Sequence, residues 1–259
     1  MNDIDHALRS ATIAAAALLG ASQVHAVDCT GLPTQSQLKA ALVAAVATEA
    51  SGLDFQMWGT VVNRNGEVCA VAYSGADRGA QWPGSRVISA QKANTANAFG
   101  LDGLALSTAN LFSAVQPGGS LFGLQHSNPV DPSVAYGGNS SNNGTATDFM
   151  VGKKIGGVNV FGGGLGLYDA GRKIIGAVGV SGDTSCADHM IAWRVRNNLV
   201  LDYVNNGPAK LFANDPAHPD NIIFDIAPNP TGGTGISQTG FGHPVCFQSV
   251  SGAGLPPVR

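Results

Sequence analysis

The chain is short of charge. Asp, Glu, Lys and Arg make up 12% of its 259 residues, about half the roughly 25% usual in soluble domains. The formal net charge is −3, and no RNA- or DNA-binding motif is present. Without a basic stripe to neutralise phosphates, nucleic acid is excluded as a partner. Neither G-x-x-x-x-G-K-[ST] nor a strand-to-helix G-x-G-x-x-G occurs, which removes the common phosphate cradles. There is no HExxH, no HxH and no CxxC, so no motif-level zinc site is visible. Covalent haem attachment, which needs CxxCH, is excluded. Gly179-Val180-Ser181-Gly182-Asp183 falls one glycine short of the nucleophile turn G-x-S-x-G. Ser181 therefore reads as a turn residue. The Ser181–Ser185 turn could offer N–H groups to an anion, but Asp183 and Asp188 would oppose it.

Long apolar runs are also missing. The longest, Ala11–Ala21, is shorter than the about 20 residues a membrane span requires. It fits the apolar centre of a secretory signal, and Val24-His25-Ala26 fits a small-x-Ala cleavage site. We expect residues 1–26 to be a signal peptide and 27–259 a single domain, with no membrane span after signal removal and a periplasmic or secreted location. Four cysteines, Cys29, Cys69, Cys186 and Cys246, agree with export. Three disulfide pairings are possible. A Cys29–Cys246 bond, tying both ends, is the one favoured; four buried thiols are the alternative.

Glycine is plentiful, at 35 residues, and apolar residues reach 44%, enough for a sizeable core. Thr34 and Gln37 form a capping box for a helix over 34–50. Strands are expected at 55–62 and 68–73, joined by Asn65-Gly66, a strong hairpin signal. Ser85 N-caps a helix over 85–99, and a short helix over 107–115 stops at Pro117-Gly118-Gly119. Residues 126–147 read as a long loop, of a kind often functional or mobile. A second hairpin, 158–168 with 173–180, turns at Asp169-Ala170-Gly171. Ser185 and Asp188 form a capping box for a helix over 186–204, and one more strand is expected at 222–226. Hairpins packed with helices imply an α+β fold.

A haem site without covalent attachment needs only an apolar slot and an axial donor. His126, His189 and His243 are the iron candidates, although the plainer reading of any one histidine is a surface or capping residue. His189 and Met190 are neighbours on a helix and point apart, so they do not serve one iron.

Three segments carry a resemblance: WGTVVNRNGEVCAVAYSGAD, SRVISAQKANTANAFG and GGGLGLYDAGRKIIGAVGVSGDTSCADHMIA. Over about 34–204 the chain resembles the GlcG/HbpS-type haem-binding (haem-degrading) domain family. The resemblance implies a five-stranded antiparallel sheet flanked by helices, of PAS/profilin-like topology, and a homo-oligomer. It implies non-covalent haem, or a related tetrapyrrole, as the cofactor. By motif, Lys92, Thr95, Gly163, Gly164, Ser181, Gly182 and Asp188 would be fold-forming and pocket-lining rather than catalytic. Where the family has G-G-x-P, this chain has Gly163-Gly164-Leu165-Gly166, and it adds the 126–147 loop and a 205–259 extension. The leading expectation is an exported haem-binding protein used in haem or iron handling or redox sensing. Alternatives are an enzyme acting on a small organic molecule, with Lys92, Asp188 and His189 in acid/base roles, and a non-catalytic assembly or sensor partner.

Overall fold

The computed structural model describes residues 27–249 and 254–259. The expected signal peptide, 1–26, lies outside the described residues. The N-terminal helix α1 spans Gln35–Val46, and its capping box forms as read: Thr34 N–H donates to Gln37 Oε1 at 2.9 Å and Gln37 N–H to Thr34 Oγ1 at 3.4 Å. Strands β1 (Trp58–Asn63) and β2 (Val68–Tyr73) follow as an antiparallel hairpin. Its turn places Gly66 at φ 76°, and Asn63 Oδ1 accepts the N–H groups of Asn65 and Glu67. Helix α2 spans Ser85–Phe99; Gly84, not Ser85, is its N-cap, and Ser85 is buried inside the first turn. The short helix expected over 107–115 is two 3-10 turns, Thr108–Leu111 and Ser113–Val115.

The loop after them is anchored. It contains the one-turn helices α3 (Leu124–Ser127) and α4 (Pro132–Ala135). Arg86 of α2 pins it, through a buried ion pair with Asp148 and a 2.8 Å bond to the Ala135 carbonyl. Strands β3 (Gly164–Tyr168) and β4 (Ile174–Ser181) form the second hairpin, and α5 covers Ser185–Asn198. Residues 158–163, expected as strand, lie outside β3. Helix α5 is capped by Thr184, which accepts from Ala187 N–H. The Ser185/Asp188 box does not form because the Asp188 carboxylate is taken up elsewhere, as described below. In the tail, α6 is Pro208–Phe212, and β5 (Ile226–Ala227) pairs with β6 (Ile236–Ser237).

The main sheet is antiparallel with order β2-β1-β4-β3. Helix α2 covers one face, against Trp58, Val62, Val71 and Ala177. Helices α1 and α5 cover the other, against Val61, Leu165, Leu167, Val178 and Val180. The alternation along β1 and β4 sends adjacent residues to opposite layers.

The expected five strands reduce to four in this sheet. The separate strand expected in the tail at 222–226 does not join it either; the segment runs beside α5, with Ile222 N–H donating to His189 Nε2 at 3.2 Å. Only its last residue enters the small β5–β6 ladder. Loop segments pair with one end of each edge strand: Tyr168 N–H, at the end of β3, bonds to the Leu201 carbonyl at 2.8 Å, and Val68, at the start of β2, exchanges bonds with Lys153 and Gly152.

The disulfides also differ from the favoured pairing. Cys29 joins Cys69 and Cys186 joins Cys246. The first ties the entry segment to β2, the second ties the tail to the start of α5, and no bond links the two ends directly.

Glycine decides how closely α2 lies on the sheet. A Cβ at Gly179 would sit 2.0 Å from the Ser89 carbonyl oxygen and 2.5 Å from Ala93 N, both backbone atoms of α2. Neither atom can yield without moving the helix. Gly179→Ala is expected to cost at least the roughly 1–3 kcal/mol of an overpacked core, read as a lower urea midpoint.

Candidate functional site

Most of the motif residues converge on one buried point. Lys92, from the middle of α2, places Nζ 2.6 Å from Asp188 Oδ2, and each residue is 2% exposed. Lys92 Nζ also donates to the Val180 carbonyl at 3.3 Å. The other Asp188 oxygen accepts the N–H groups of Gly182 and Asp183, at 3.0 and 2.9 Å. The pair therefore joins α2 to the β4–α5 turn. Gly163, at φ 120°, passes beside it; an added Cβ would meet the Val180 carbonyl oxygen at 2.4 Å. Gly164 lies against the α2 backbone, where a Cβ would meet the Lys92 carbonyl oxygen at 2.5 Å. Ser181 ends β4 opposite Trp58. Thr95 stands one turn further along α2, where it donates to the Gln91 carbonyl and accepts from Asn159 N–H. These residues seal and shape the fold. Lys92 and Asp188, for which an acid/base role was the alternative expectation, are buried and spent on one another.

The three histidines occupy different surroundings. His189 is fully buried; its Nε2 meets Asn221 Oδ1 and Ile222 N–H, both at 3.2 Å, while Nδ1 has no partner. His243 is buried, with Nδ1 bonded to the Pro244 carbonyl at 2.8 Å and Nε2 accepting from Gly162 N–H at 3.4 Å. Gly162 separates the two, since a Cβ there would stand 3.0 Å from the His189 Cβ. His126 is exposed on α3. It lines a cleft of about 270 Å³ with Phe112, Val115, Phe122, Val160 and Phe161. The Phe112 ring lies between Phe161, at 6.2 Å, and the His243 ring, at 5.1 Å. The cleft thus backs onto the start of the Gly162-Gly163-Gly164 run.

Sequence reasoning missed the aromatic wall. Phe112, Phe122 and Phe161 come from separate turns and loops and share no periodicity. It also missed the sealed pairs Arg86–Asp148 and Arg196–Asp220, the latter held by two bonds of 2.6 and 2.8 Å. Their partners are far apart in the chain, and the spacing carries no signal.

Burial sets the protonation of these groups. Loss of water lowers the His189 pKa to about 3 and that of His243 to about 4, while desolvation lifts the Asp188 carboxyl to about 6 against the pull of Lys92. For the imidazoles the folded value lies below the ordinary one near 6.5. Their contribution to stability is present above that pH and is lost as pH falls toward 4 and then 3. Asp188 acts in the opposite sense, since its folded form holds a proton more tightly. Two imidazoles outweigh one carboxyl, so stability is expected to fall from pH 6.5 to 4. Urea melts across that range check this, and His189→Gln should flatten the slope. Separately, Lys92→Met leaves a sealed, unpaired carboxylate. It is expected to cost about 3–5 kcal/mol, measured by the same melts.

A family model described as haem-degrading protein, HbpS-like, matches residues 35–196. Among solved structures, the chain is similar to Klebsiella pneumoniae protein ORFY, at 28% identity over 64% of this chain and 87% of that one, with a TM-score of 0.42. It is similar to PduOC, crystallised with haem, at 23% identity over 63% and 89%, TM-score 0.43. It is also similar to a doubly substituted HbpS from Streptomyces reticuli, at 14% identity over 74% and 97%, TM-score 0.36. No curated protein matches.

Proposed function

Since the chain belongs to the HbpS-like haem-degrading protein family, we propose that it binds haem non-covalently in the aromatic cleft, with His126 as the axial donor. The observation that carries this reading is the donor set. Apolar and aromatic walls from Phe112, Phe122, Phe161 and Val160 surround one imidazole that is open to solvent. That is what a tetrapyrrole needs from a protein: a flat apolar slot and a nitrogen ligand. At about 270 Å³ the cleft falls just below the usual range for ligand pockets, roughly 300–1,000 Å³, so it would hold one edge of a macrocycle and leave the other in water. His189 and His243 fit the role less well, because His243 spends both nitrogens on the backbone and His189 is sealed behind Asn221 and Ile222. Bound haem would supply an iron centre; the chain's own residues would position the ring and exclude water from its inner edge.

The remaining parts of the reading follow from the chain's chemistry. Residues 1–26 act as a secretory signal, and the mature protein works in the periplasm or outside the cell. Two disulfides support this, because such bonds persist in oxidising compartments. No helix among the described residues is long and apolar enough to cross a membrane. The exported chain is a homo-oligomer that serves haem or iron handling or redox sensing.

Hemin titration of the oxidised chain, followed by absorbance, tests the assignment. A saturable one-to-one Soret shift is expected, and His126→Ala should move the band and weaken binding at least about tenfold, equivalent to roughly 1.4 kcal/mol. A featureless titration would remove haem as the ligand. An unchanged His126→Ala spectrum would remove His126 as the donor.

A further inference from the structure

Behind the Phe112 wall, three soft ligand atoms meet at one point. Cys186 and Cys246 are joined as a disulfide, and His243 Nδ1 lies 3.9 Å from Cys186 Sγ. The three donor atoms are all within 4.8 Å of one another. Cys186 is the second residue of α5, a 14-residue helix whose N-terminal dipole favours a thiolate. The Cys29–Cys69 bond belongs to no comparable trio among the described residues. A groove of about 380 Å³, walled by Phe224, Ile226, Pro228, Pro244 and Val245, reaches His243 of this trio.

We propose that the reduced Cys186–Cys246 pair, together with His243, is a binding site for a divalent ion of the zinc class. Two thiolates and one imidazole are a ligand set that such an ion takes in tetrahedral geometry, with a fourth position left open. The disulfide and the metal-bound form exclude each other, because sulfurs bonded to one another do not act as two thiolate ligands. Conversion needs a dithiol as reductant. The dithiol gives up two electrons and two protons, the Cys186–Cys246 S–S bond breaks, two thiols form, and the dithiol becomes its own disulfide. Binding the ion then releases the two thiol protons to solvent. On the imidazole, Nδ1 gives up its proton and Nε2 gains one, so the ring's charge is unchanged. Nδ1 must leave the Pro244 carbonyl, and Nε2 must leave Gly162 N–H, its longer contact at 3.4 Å. The site is therefore formed by a small turn of one ring and separation of one sulfur pair.

The test uses the full chain, reduced and then freed of reductant under anaerobic conditions. Titration with Co²⁺ is expected to give a one-to-one thiolate-to-metal charge-transfer band with tetrahedral visible absorption, which Zn²⁺ then displaces. The oxidised chain should give neither. Alkylation in the presence of Zn²⁺, mapped by mass spectrometry, should spare Cys186 and Cys246 and modify Cys29 and Cys69. His243→Gln should weaken Co²⁺ binding by more than the roughly 10–100-fold that loss of an outer partner of a metal ligand costs. Absence of the band would overturn the proposal. So would equal alkylation of all four cysteines with and without Zn²⁺, including in a chain that loses its fold on reduction.

Discussion

The buried contact between Lys92 and Asp188 is the constraint around which the domain is arranged. A charge removed from water is tolerated only when it is paired and hydrogen-bonded. To meet Asp188, Lys92 must reach across from α2 to the turn that leads into α5, so α2 has to lie almost on the backbone of the sheet. Gly179 and Gly164 remove the Cβ atoms that would hold it off, and Gly163 takes a conformation open to glycine beside the lysine head. Asp188 in turn orders the turn by accepting two backbone N–H groups. One ion pair thereby sets the helix height, the path of the glycine run and the start of α5.

The low charge content acquires a meaning in this setting. Six of the few charged side chains are spent inside, as Lys92–Asp188, Arg86–Asp148 and Arg196–Asp220. Each fixes a different piece of irregular chain. Arg86 holds the long loop by Asp148 and the Ala135 carbonyl, and Arg196 holds the tail at Asp220. Trp193 adds a 2.9 Å bond to the Pro256 carbonyl. The loop and tail are thus tied to the helices by buried ion pairs and a hydrogen bond. With the loop and tail so placed, Phe112, Phe122, Phe161 and His126 share a cleft although they belong to different segments, and His243 of the tail faces the first turn of α5.

Local signals were legible where the physics is local. Thr34 with Gln37, and Asn65 with Gly66, announce a helix start and a hairpin because their hydrogen bonds close within four residues. The motif residues Lys92, Gly163, Gly164, Gly182 and Asp188, grouped from the resemblance as fold-forming and pocket-lining, lie together in the structure, with Lys92 and Asp188 as a buried ion pair. The strand expected at 222–226 did not join the main sheet, because the segment packs beside α5, a long-range contact that its five residues do not signal. The Cys29–Cys246 pairing failed because four cysteines carry no information on which sulfurs meet. Capping of α5 passed to Thr184 because Asp188 had a stronger partner far away in sequence.

Composition, hydrophobic alternation and turn chemistry were thus enough to determine an α+β chain with two hairpins, and the motif segments were enough to identify the family. Those properties depend on contacts between near neighbours. The tertiary structure alone decided which cysteines bond, which histidine remains open, and that aromatic residues up to 49 positions apart, Phe112 and Phe161, wall one cleft. Those outcomes depend on where separate segments are brought together, and only the buried pairs and the packing of α2 on its glycines specify that.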